Sequence, residues 1–98
     1  MNHDAWIEDM RREPVVALAT AAHRVTVEAR GVLNDVDPVR AVQCLTFLNE
    51  VEHTLTGQLV RYARDDKLRM QPQIIASVLT ELSRKFQCEP VLDAVLKT

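Results

Sequence analysis

A chain of 98 residues can bury one hydrophobic core but not two. Its 47% apolar and 27% charged residues exclude a disordered chain. A formal charge of −2 lacks the basic excess of a generic nucleic-acid binder or of a protein held on an anionic membrane.

Glycine occurs twice, aromatics make up 4%, and small aliphatic residues supply most of the apolar mass. That composition suits packed helices better than a β-sandwich. The four prolines sit at Glu13-Pro14, Asp37-Pro38, Gln71-Pro72 and Glu89-Pro90, each ahead of an apolar-periodic segment. Proline fits the first helical turn, where its missing N–H has no partner to lose. Asp37 is the strongest cap of the four, because a short carboxylate accepts from free N–H groups.

A first short helix is expected over 3–12, with Trp6, Ile7 and Met10 as its apolar edge and Arg11 and Arg12 favourably placed at its end. The second is expected over 14–33. Val15, Leu18, Ala22, Val25, Ala29 and Val32 recur there at spacings of three and four, marking one buried face. Gly31 or Asn34 would supply a left-handed stop. The third helix, over 38–65, is the longest, about 42 Å at ~1.5 Å per residue. Its inward row reads Ala41, Leu45, Leu48, Glu52, Leu55, Leu59 and Tyr62, with Cys44 and Val51 beside it. Gly57 falls inside this helix, either as a small residue at a close helix contact or as a kink. The fourth is expected over 72–86, presenting Ile75, Leu79, Leu82 and Phe86 on one side with Val78 adjacent. The fifth, over 90–96, would dock through Val91, Ala94 and Val95 as a C-terminal lid. The connection at 66–71 is the expected mobile joint.

The short connection after the second helix makes it an antiparallel neighbour of the third. The expected fold is therefore all-α: a single domain, a four- to five-helix up-and-down bundle built on a long antiparallel helical hairpin. Val16, Val27, Val42 and Val60 lie off the main apolar faces, and sharing them in a homodimer would remove them from water.

Few groups suggest chemistry. Glu50 and His53 form one Glu-x-x-His pair, whereas a di-metal bundle needs two such pairs and further glutamates. Surface neighbours and no metal are expected. Cys44 and Cys88 match no metal-ligand spacing, and the sequence leaves a disulfide between them open; reduced thiols and a cytoplasmic location are expected. No Gly-x-Ser-x-Gly, glycine-rich phosphate loop or HExxH occurs. No catalytic residue and no cofactor is therefore expected.

Glu52 falls in a slot the periodicity assigns to the core, so it should be paired, protonated or at a rim. One arrangement pairs it with His23; in the other it reaches the edge. Asn49, His53 and Thr56 lie along a neighbouring polar seam, and together with His23 and Glu52 they form the candidate interface. Arg61, Arg64, Lys67 and Arg69, within nine residues, form a candidate partner-binding stretch.

The sequence favours a small non-enzymatic protein–protein interaction module: a regulator, an adaptor, or an antitoxin- or immunity-like inhibitor. One alternative is a helix-turn-helix DNA-binding regulator using the C-terminal helices, although the last helix offers only Lys97 as a base and carries Asp93. A metal-binding bundle is the other.

Overall fold

The computed structural model describes residues 3–34, 37–64 and 71–97. Five helices follow in chain order: α1 (Asp4–Arg12), α2 (Pro14–Val32), α3 (Pro38–Arg64), α4 (Pro72–Lys85) and α5 (Glu89–Leu96). No strand occurs among the described residues. Each expected helix is present, with ends shifted by one residue at most. Lys67, Arg69 and, apart from Gln71, the expected joint at 66–71 lie outside the described residues.

The prolines act as expected. Pro14, Pro38, Pro72 and Pro90 all stand in the first or second position of a helix. Asp37 caps α3: its Oδ1 accepts from the N–H groups of Val39 (3.1 Å) and Arg40 (3.3 Å). The other end of the hairpin differs from expectation. Among the described residues no glycine takes a positive φ. Helix α2 instead ends through right-handed Leu33, and the Asn34 side chain donates to the Arg30 carbonyl at 3.2 Å. A side-chain donor thus serves a terminal carbonyl that a left-handed stop would have served through the backbone.

α2 and α3 form the most extensive pair, and α2 also carries α1 and α5 on its sides. α4 completes the bundle against α1, α3 and α5. These contacts accord with an up-and-down bundle, and the 45 Å long axis accommodates the ~40 Å of α3. The core joins Trp6 and Met10 of α1, Leu18, Ala21 and Val25 of α2, and Phe47, Leu48, Val51 and Leu55 of α3. Ile75 and Leu79 of α4 and Leu92, Val95 and Leu96 of α5 close it.

Three burial expectations are corrected. Val15 is exposed, because Ala17 and Ala21 take the inward side of α2. On α5 the buried side chains are Leu92, Val95 and Leu96, with Val91 and Ala94 only half-buried. On α3 the buried stripe is Cys44, Phe47, Leu48, Val51 and Leu55. Phe47 is the bulkiest of the fully buried side chains, and pointing it inward turns Glu52 out to solvent. Gly57 neither breaks α3 nor makes a close contact: the helix runs through it, and an added Cβ would meet nothing within 4 Å.

The turn between α4 and α5 is held by several specific bonds. Gln87 adopts φ 55°. Its N–H donates to the Arg84 carbonyl (3.2 Å) and the Cys88 N–H to that of Ser83 (2.8 Å). That pairing is a Schellman cap, with glutamine where glycine is the usual residue. α3 grips the cap from outside. Arg40 donates to the Phe86 carbonyl at 3.1 Å and also to that of Gln87, and Gln43 Nε2 donates to Phe86 at 2.7 Å. The Phe86 ring tilts against Phe47, with centroids 6.1 Å apart, and the Lys85 ammonium sits 5.5 Å from its centre.

Candidate interaction surface

A soluble helix normally turns charge toward water. α1 does so: Arg11 pairs with Glu8, and Arg12 with Asp9 at 2.5 Å. One exposed row along α3 does not. Val39, Val42, Thr46, Asn49, His53, Thr56, Val60 and Ala63 recur at alternating spacings of three and four, and none is charged at neutral pH with histidine neutral. All are exposed except half-buried Thr56; Val42 keeps 64% and Val60 51% of its surface in water.

The row follows a heptad pattern, the periodicity of helix-on-helix seams. Its hydroxyls are already satisfied. Thr46 Oγ1 donates to the Val42 carbonyl and Thr56 Oγ1 to that of Glu52, both at 2.8 Å. These bonds lower the cost of covering the row, because the two threonines bring no unmet donor. Only Asn49 and His53, adjacent near the middle, need polar partners. At about 100° per residue, Glu50 flanks the row on one side and Glu52 on the other.

The residues singled out from sequence are only partly brought together. Asn49, His53 and Thr56 share the α3 row, and Glu52 borders it. His23 stands apart, exposed on the outer row of α2 with Val16, Thr20 and Val27. No hydrogen bond joins Glu52 to His23 among the described residues. Arg61 and Arg64 are exposed at the C-terminal end of α3. Sequence reasoning missed Val39, Thr46 and Ala63, although the three-four alternation that unites the row is readable in the sequence.

No group of three or more metal-ligating side chains occurs among the described residues. A cleft of about 490 Å³ runs between α1 and α2, lined by Trp6, Asp9, Arg12, Glu13, Thr20 and Arg24 among others. Its charges are mixed: Asp9 pairs with Arg12, and Glu13 and Arg24 add one charge of each sign. The cleft therefore offers no field of one sign to select an ion. The buried Trp6 indole N–H has no partner among the described residues.

Cys44 and Cys88 are buried free thiols. Cys88 Sγ lies 3.6 Å from Cys44 Sγ and 3.3 Å from the Phe86 carbonyl, and its single S–H can be given to one of them at a time. Burial, reinforced by the Cys44 thiol, pushes the Cys88 thiol up to about 11. Among the described residues no helix is long and apolar enough to cross a membrane. No family model, curated protein or solved structure matches the chain.

Proposed function

We propose that this protein is a non-enzymatic helical interaction module that docks through the outer side of α3, and that a second copy of the chain is its first occupant. The uncharged heptad row from Val39 to Ala63 carries this reading. Such a row loses little by leaving water, whereas a charged helix face would lose its hydration.

The row is also complementary to itself. In an antiparallel pairing centred level with Val51, Val42 meets Val60, Thr46 meets Thr56, and Asn49 meets His53 of the second copy. Apolar positions then face apolar ones, and the two unsatisfied polar side chains face each other. Val51 itself points into the core and marks only the level of the two-fold axis.

Two magnitudes limit the strength of this dimer. A strip ~40 Å long and ~10 Å wide covers on the order of 800 Å² over both copies, below the usual range of stable interfaces. Glu50 and Glu52 of both copies also gather near the axis and repel. Association is therefore weak and tightens as salt screens the carboxylates. A weak self-pairing leaves the row open to exchange for another protein's helix, as a regulator, adaptor or inhibitor requires. A cytoplasmic location is part of this proposal, since thiols stay reduced in a reducing compartment.

Sedimentation velocity at about 100 µM, in low and high salt, tests the reading. The expected result is a monomer–dimer equilibrium that shifts toward dimer with salt and is abolished by Val42→Asp with helicity unchanged. A monomer under both conditions, or a dimer indifferent to Val42→Asp, contradicts it.

A further inference from the structure

We propose that Cys44 and Cys88 form a modification site at which a peroxide converts the two thiols into an internal disulfide, clamping the α4–α5 turn onto α3. The two sulfurs are 3.6 Å apart although their residues stand 44 positions apart in the chain. A disulfide needs about 2.05 Å, so an approach of roughly 1.5 Å completes the bond. The surrounding structure holds both partners in place. Cys88 follows the left-handed Gln87, its N–H donates to the Ser83 carbonyl, and Arg40 and Gln43 fasten the Phe86 carbonyl to the helix that carries Cys44.

The order of events follows from access. Cys44 retains 6% exposure and Cys88 none. Hydrogen peroxide therefore meets Cys44 first. The Cys44 sulfur takes one oxygen, the O–O bond breaks, and water leaves, giving a sulfenic acid. The Cys88 sulfur then attacks the Cys44 sulfur. The S–O bond breaks and a second water carries off the hydroxyl and the Cys88 proton. In sum, two thiols and one peroxide give one disulfide and two waters.

Burial keeps the Cys88 thiol protonated and slow to react. Proximity decides what the first oxidised sulfur becomes, because a neighbour already in contact outcompetes a second peroxide from solution. The product is a disulfide and not a sulfinic acid. It ties α5, whose Leu92, Val95 and Leu96 complete the core, covalently to α3.

The test treats the full chain with hydrogen peroxide at neutral pH, then denatures it, alkylates it and maps the peptides. The expected product has lost two hydrogens, resists alkylation at both cysteines, and yields one peptide pair joined through Cys44 and Cys88. Its Tm rises by on the order of 10 °C and dithiothreitol reverses the rise. Cys44→Ser and Cys88→Ser show no such rise. Sulfinic or sulfonic acid as the main product, a disulfide between two chains, or intact thiols after a treatment that oxidises the urea-unfolded chain would each overturn the proposal. The wild-type peptide map decides even if a serine variant fails to fold. It is independent of the α3 row, so a monomeric protein can still pass this test.

Discussion

The Arg40 guanidinium, in the first turn of α3, donates to the carbonyls of Phe86 and Gln87, 46 and 47 positions later in the chain. One side chain thereby ties the start of the longest helix to the turn between the last two. A forked, permanently charged donor suits two adjacent carbonyls better than an ammonium does. Arg40→Ala is expected to lower stability by about 1–2 kcal/mol, since charge-assisted bonds are lost at a half-buried site. Arg40→Lys should recover less than half of that. Urea unfolding followed by circular dichroism measures both.

Gln87 holds φ 55° because the Schellman cap requires a left-handed residue there. Its side chain is exposed, and the bonds of the turn run through backbone atoms. Glycine would keep those bonds and remove the steric cost of the Cβ. Gln87→Gly is expected to raise stability by about 0.5–1 kcal/mol, visible as a higher Tm. An unchanged or lower Tm would count against the assigned conformation.

Phe47 and Glu52 form a contrasting pair on one helix. Phe47→Ala should cost about 3–5 kcal/mol, because a fully buried aromatic ring is removed from the centre of the core. Glu52→Gln and Glu52→Leu should each change stability by less than ~0.5 kcal/mol, as surface substitutions do. Unfolding at low micromolar concentration keeps self-association out of the comparison.

That pair also shows where the sequence was legible. Proline and Asp37 marked helix starts through local backbone chemistry, so four boundaries could be read directly. The phase of α3 could not. Leu45, Leu48, Leu55 and Leu59 define an apolar row through Glu52, and Cys44, Phe47, Leu48, Val51 and Leu55 define another, rotated by less than a right angle. Periodicity alone does not choose between them; the size of Phe47 and its contact with Phe86 do. The candidate surface was legible in halves. Val42 and Val60 stood out as uncovered and Asn49, His53 and Thr56 as a seam, but the misplaced phase kept them apart. The meeting of Cys44 with Cys88 was beyond reach, because it depends on a left-handed glutamine folding α5 back toward α3.

The Cys88 thiol gives the protein an alkaline weak point. Burial is the main cause of its rise from 9.0 to about 11, and the Cys44 thiol adds to it. The unfolded chain therefore gives up this proton at lower pH than the folded one. The contribution of Cys88 is intact below 9.0 and is lost as pH climbs toward 11. The Tm difference between the reduced wild-type chain and Cys88→Ala is expected to shrink over that interval. A difference constant with pH would show that the thiol is not buried as described.

The self-pairing of α3 is tested most directly by isotope-filtered NMR on a mixture of methyl-labelled and unlabelled chains in high salt. The account expects contacts between the Val42 methyls of one copy and the Val60 methyls of the other. Contacts of Val42 with its own counterpart, contacts confined to Val16 and Val27 of α2, or none at a concentration of about 100 µM would contradict it.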